Sequence, residues 1–132
     1  MKKPIDTHLY FHKYGNMKSA QVVKALGALA QESRLAIFRL LVKRGPDGYT
    51  PGELQDKLAI AAPTLSFHLK ELQRAGLITM RRDGRFLYYS ADFAAMNELL
   101  GYLTENCCSL SSTACDASCV PSKAAVKKRK SA

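Results

Sequence analysis

Apolar positions return every three or four residues through the first half of this chain, which is the period of a helix. Ala20–Ala30 reads AQVVKALGALA, with Val22, Val23, Leu26, Leu29 and Ala30 on one side. Ser33–Arg44 repeats the pattern through Leu35, Phe38, Leu41 and Val42, and Gly45-Pro46-Asp47-Gly48 stops it. Thr50-Pro51-Gly52-Glu53 is a capping box with proline at the first helical position, so it opens a short helix ending near Ala59. Pro63 opens another, which Ala75-Gly76 closes, glycine taking the left-handed position. The period then shortens to two. Leu77–Ser90, LITMRRDGRFLYYS, is β-prone on both sides of Asp83-Gly84, which marks a two-residue hairpin turn. Asp92 caps a last helix from Phe93 to about Glu105, with Phe93, Met96, Leu99, Leu100 and Leu103 as its apolar stripe. The predicted fold is mainly α with a small β-hairpin.

Short capped helix, tight turn, helix, hairpin is the order of a winged helix-turn-helix. That module lays one helix in the major groove of duplex DNA. On the helix opened by Pro63, Leu65, Leu69 and Leu72 share a narrow arc and point to a core. The opposite arc carries Phe67, Lys70 and Arg74, flanked by Ser66 and Thr64. An aromatic on the wet side of a half-apolar helix suits contact with a thymine methyl. Thr64 and Ser66 suit base edges or phosphates, and Lys70 and Arg74 suit phosphates. An ordinary amphipathic surface helix would share the apolar arc; its neighbours on either side set this one apart. His68 lies on the same helix as a phosphate or packing contact. Arg81, Arg82 and Arg85 gather three guanidinium groups around the hairpin tip, where a flanking backbone or minor groove would lie. Strand alternation puts Phe86 and Tyr88 on one face as the core of the wing.

Charge agrees with this partner. The 132 residues carry 20 Lys and Arg against 11 Asp and Glu, a net charge of +9. Such an excess suits a polyanion. The length suits a single core. No apolar run approaches the ~20 residues of a membrane span, and the basic start MKKPIDTHLYFHKYGNMK has no apolar segment behind it, so the cytoplasm is the expected location. No paired carboxylates, nucleophile constellation or phosphate loop suggest an enzyme. Three segments are expected: an N-terminal extension, 1–16; a DNA-binding and dimerisation unit, 17–106; and a cysteine-rich segment with a basic tail, 107–132.

Cys107, Cys108, Cys115 and Cys119 carry the remaining chemistry. Thiols stay reduced in the cytoplasm, so such crowding suggests metal or redox chemistry. The Cα atoms of adjacent residues are ~3.8 Å apart, closer than the ~4.4–6.8 Å of ordinary disulfides. An unstrained bridge between Cys107 and Cys108 is therefore not expected, yet both sulfurs can reach one soft ion. The small, polar segment Ser109–Ala114 allows Cys115 to fold back as a third thiolate, with Cys119 as the alternative. Three sulfurs suit trivalent arsenic or antimony; four suit zinc, cadmium or lead. A thiol redox switch is a further alternative.

ALAQESRLAIFRLL followed by LAIAAPTLSFHLKELQRAGLITMRRDGRFLYYS closely resembles the ArsR/SmtB family of winged-helix metal-responsive repressors. The likeness covers about Ala20 to Leu103. It implies a homodimer, paired through its first and last helices, that represses its own operon by holding double-stranded operator DNA. Pro63, Thr64, Ser66, His68, Leu69 and Lys70 match the family's reading helix. Ala61 and Ala62 depart from it, standing where the family has a serine cap and a glutamine, and Phe67 replaces a common histidine or arginine. One family site uses cysteines in the helix before the reading helix; PGELQDKLAI has none. Another uses Asp and His on the last helix, which here has no histidine. Some arsenic-responsive members carry a vicinal cysteine pair plus a later one, which Cys107, Cys108 and Cys115 resemble. The resemblance thus implies arsenic(III) or antimony(III) as inducer.

Overall fold

The computed structural model describes residues 17–112. In order they form α1 (Ser19–Leu29), α2 (Glu32–Arg44), α3 (Pro51–Leu58), α4 (Ala62–Arg74), β1 (Ile78–Asp83), β2 (Phe86–Ala91) and α5 (Phe93–Thr104). This is the expected mostly helical winged helix-turn-helix, with element ends within about a residue of the sequence reading.

Local chemistry explains each boundary. Gln31 accepts from the Arg34 amide at 2.9 Å and starts α2. The Thr50–Glu53 box starts α3, its Glu53 Oε2 accepting from the Thr50 amide at 2.8 Å. That bond is the largest influence holding the Glu53 carboxyl below its usual pKa. α4 ends in a Schellman motif. Gly76 takes φ +76°, its amide donates to Gln73 O, and the Leu77 amide reaches back to Leu72 O at 3.0 Å. Leu72 and Leu77 are both fully buried beside this turn. Asp92 Oδ1 accepts from the Ala95 amide at 3.0 Å and caps α5, as expected.

One core joins all the elements: Val22 and Ala25 from α1, Ile37, Phe38 and Leu41 from α2, Leu54 from α3, Leu65, Leu69 and Leu72 from α4, Ile78 from β1, Ala91 from β2, and Leu99 from α5. Two stripes differ from the sequence reading. On α2, Ile37 is fully buried while Leu35 is 42% exposed; on α1, Ala25 is buried and Val23 lies in solvent. The helices are turned so that part of each apolar stripe faces outward.

β1 and β2 pair antiparallel with Asp83 opposite Phe86, so the two-residue loop is Gly84-Arg85, one position later than expected. Only Gly84 takes positive φ there, +63°, which matches a type II′ turn with glycine first. On the outer edge of β2, Tyr49 exchanges both backbone hydrogen bonds with Tyr89, at 2.9 and 2.8 Å, tying the α2–α3 loop to the hairpin. Gly48 permits that approach: a Cβ there would lie 2.4 Å from Tyr89 O.

Candidate nucleic-acid interface

Because Leu65, Leu69 and Leu72 hold α4 in the core, its opposite side is turned to solvent. Pro63, Thr64, Ser66, Phe67, Lys70 and Arg74 are all exposed there. At 100° per residue, Pro63, Phe67, Lys70 and Arg74 fall within an arc of about 60°. Phe67 is 56% exposed, a large apolar ring presented outward among cations. At the helix start, Ala61 has extended backbone but no side-chain cap. Pro63 contributes no N–H and the Leu65 amide donates to Ala61 O, which leaves the uncapped Ala62 and Thr64 amides as the first turn's donors for an anion.

Of the two roles expected for His68, phosphate or packing contact, its burial matches packing and not the outward contact set. It is the one buried polar side chain among the described residues, 6% exposed, and is turned from the outward face. Arg34 Nη1 lies 3.4 Å from its Nδ1, and Arg34 Nε donates to Ala28 O at 2.7 Å. Arginine offers only donors, so Nδ1 is the acceptor and the neutral ring carries its proton on Nε2. Burial, then the Arg34 charge, lowers the His68 pKa from the ordinary 6.5. His68 therefore links α4 to the α1–α2 corner. Sequence alone carries no signal for Arg34, whose partner is 34 residues away.

The cations of α4 and the wing divide. Arg74 pairs with Glu71 at 2.8 Å on the surface of α4 and borders α1 and α5. Arg81 Nη1 donates to Pro46 O at 3.3 Å and Asp47 O at 3.1 Å, and its guanidinium lies 4.8 Å over the Tyr88 ring. Arg82 and Arg85 extend from the exposed tip. Phe86 does share a face with Tyr88, their rings 6.4 Å apart. It is not wing core, however: a two-stranded tip has nothing to bury it, and it is 58% exposed. Tyr49 stands between the Gly45–Gly48 turn and the Thr50 cap, and its pairing with a strand 40 residues later has no local sequence signal. It is flanked by Arg44 and Lys57 at 5.0 and 5.3 Å from its ring.

Beyond α5, Cys107 and Cys108 stand at the surface with Sγ atoms 3.6 Å apart. That is far from an S–S bond of ~2.05 Å. For a metal–sulfur distance of about 2.3 Å, it corresponds to an S–ion–S angle of roughly 103°. Among the described residues no group of three or more His, Cys, Asp or Glu side chains is gathered around a point where a metal could sit. Cys115 and Cys119 lie outside the described residues, as do the 1–16 extension and the basic tail.

A family model described as a helix-turn-helix domain matches residues 29–81. The chain is similar to the uncharacterized HTH-type transcriptional regulator YceK of Bacillus subtilis, 44% identical over 71 residues, 54% of this chain and 67% of that protein. It is 36% identical over 85 residues to the transcriptional activator HlyU of Vibrio cholerae, covering 62% of this chain and 76% of that one. The solved HlyU structure aligns at TM-score 0.53 and 35% identity over 64% of this chain and 92% of that chain. A solved ArsR-like transcriptional regulator from Rhodococcus sp. RHA1 aligns at TM-score 0.58 and 27% identity, covering 64% and 76%. These relatives are transcriptional regulators. No described helix is long and apolar enough to cross a membrane.

Proposed function

This chain belongs to the ArsR/SmtB family of winged-helix transcriptional regulators, and from that premise we propose that it is an arsenic(III)-responsive repressor. It holds operator DNA as a homodimer, in the cytoplasm, until trivalent arsenic or antimony binds its cysteines. The observation that carries the inducer assignment is the vicinal thiol pair, whose 3.6 Å spacing suits two ligands of one soft ion. Cys115 supplies the third sulfur, Cys119 being the alternative. Three thiolates, in a segment 105–119 whose sequence contains no histidine, match a three-coordinate thiophilic ion better than the four ligands of a structural zinc.

Dimer formation is supported by apolar surface that the single chain leaves uncovered. Val23 and Leu26 on α1, and Leu100 and Leu103 on α5, are all exposed. Between α2 and α5, Leu35, Phe38, Val42, Met96 and Leu100 line a groove of about 320 Å³. Contiguous apolar surface of this kind marks a contact site, and a second copy covers it in this reading. Two α4 helices then enter successive major grooves ~34 Å apart. Phe67 reads a base edge, Lys70 and the first-turn amides hold phosphates, and the wing lies alongside.

The thiol pair sits directly after α5, the helix assigned to the dimer contact, so gathering the sulfurs biases the dimer's shape. Coupling between two sites is typically ~1–3 kcal/mol, whereas near-complete switching needs ~5.5 kcal/mol. Two inducer sites per dimer acting together meet that requirement. Native mass spectrometry of the purified protein titrated with arsenite tests the site. The parent is expected to take one arsenic per chain, and Cys107→Ser and Cys108→Ser to take none. A Cys115→Ser protein that still binds while Cys119→Ser does not moves the third ligand to Cys119. Undiminished binding by Cys107→Ser removes the site altogether.

A further inference from the structure

Three arginines cluster in the hairpin, and charge alone would assign all of them to DNA. The geometry separates them. Arg81 lies mid-strand opposite Tyr88, on the face that also carries Phe86. One of its guanidinium nitrogens donates to two carbonyl oxygens, Pro46 O and Asp47 O, in the loop before α3. The plane of the same group covers Tyr88. Arginine can do both at once because its donors lie in the plane and its faces are left to stack. Immediately beside these carbonyls, Tyr49 joins β2 through the Tyr49–Tyr89 backbone pair. The hairpin is thus fixed to one loop at two adjacent rungs of its ladder, by backbone at Tyr89 and by the Arg81 side chain opposite Tyr88, and the rungs beyond them toward the tip are held by neither. A phosphate contact would draw the guanidinium away from these partners.

We propose that Arg81 is a positioning residue, a brace that sets the angle of the wing, while Arg82, Arg85 and Phe86 at the tip meet the duplex. This rests on the reading of the hairpin as a DNA-contacting wing. Arg81 works by holding Tyr88, and through it the Phe86 ring and the Gly84-Arg85 turn, in one orientation. Its removal lets the tip swing, so the contacts of Arg85 are lost along with it.

Two measurements on the full chain test the brace. The first is a double-mutant cycle on operator affinity, with Arg81→Ala, Arg85→Ala and the pair. Arg81→Ala is expected to weaken binding about tenfold, and adding Arg85→Ala to weaken it by less than about twofold more, since interacting sites are non-additive. The second is amide hydrogen exchange of residues 78–91 without DNA. Arg81→Ala and Tyr88→Leu are both expected to speed exchange across the hairpin, and Arg85→Ala to leave it unchanged; thermal melting checks that each variant folds. Penalties that multiply in the cycle, or hairpin exchange in Arg81→Ala identical to the parent's, overturn the brace. A parent that binds no duplex, with the exchange result as expected, refutes the DNA-binding reading and leaves the brace standing.

Discussion

Ala61 precedes the reading helix without a side-chain acceptor, and replacing it by serine isolates one physical effect. Its backbone already has the extended conformation of an N-cap, φ −64° and ψ 147°, so serine fits without rearrangement. A capping oxygen normally accepts from the second or third helical amide. Here Ala62 is first and Pro63, with no N–H, is second, so the Thr64 amide is the only partner. One hydrogen bond to an otherwise uncapped amide is worth ~1 kcal/mol, within a range of roughly 0.5–2. For a folded unit of this size, that corresponds to a rise in Tm of about 4–8 °C. Differential scanning calorimetry at one fixed protein concentration reads it, because an oligomer's Tm depends on concentration. The Thr64 amide reports the cause: its exchange should slow by around fivefold, as ~1 kcal/mol implies. An Ala61→Ser protein with unchanged Tm and unchanged Thr64 exchange would refute the account of how α4 begins.

Other expectations follow from single positions. Gly48→Ala drives a Cβ into Tyr89 O at a residue with φ +76°, so it should destabilise by at least ~2 kcal/mol in chemical denaturation and loosen the wing. Lys70→Ala should lower operator affinity uniformly across sequences and reduce the salt-dependence slope by about two, one phosphate contact from each protomer of the dimer, whereas Phe67→Ala should lose discrimination at one base position in each half-site with the slope unchanged. Because the His68 pKa is lowered from 6.5, the unfolded chain binds its proton first. His68 therefore contributes stability fully above pH 6.5, and this is lost as pH falls from 6.5 through the folded value. Urea melts from pH 7.5 to 5 should show that decline in the parent and a shallower one in His68→Gln.

Elements were legible because their signals are local. The Thr50–Glu53 box, the Ala75-Gly76 ending and the Asp92 cap each act over three or four residues, and each appears where the sequence puts it. What escaped depends on partners distant in sequence. Leu35 has the period of a core residue, but its side of α2 borders a groove that one chain leaves open. His68 matches a reading-helix pattern, yet it is buried with Arg34 of another helix against its Nδ1. Arg81 carries the same charge as Arg85; only the fold reveals the two carbonyls and the ring that engage it. The Gly84-Arg85 loop shifted by one because Asp83 pairs with Phe86 rather than turning. The spacing of Cys107 and Cys108 follows from adjacency and the turn after α5.

Fluorescence anisotropy of a labelled operator, titrated with arsenite at fixed salt under reducing conditions, joins the two halves of the proposal in one experiment. The parent is expected to bind the duplex tightly and to leave it as about one arsenite per chain is added, while Cys107→Ser binds equally well and stays bound. Release of the Cys107→Ser protein at the same arsenite concentration as the parent, or a parent that remains on the duplex at saturating arsenite, would contradict it.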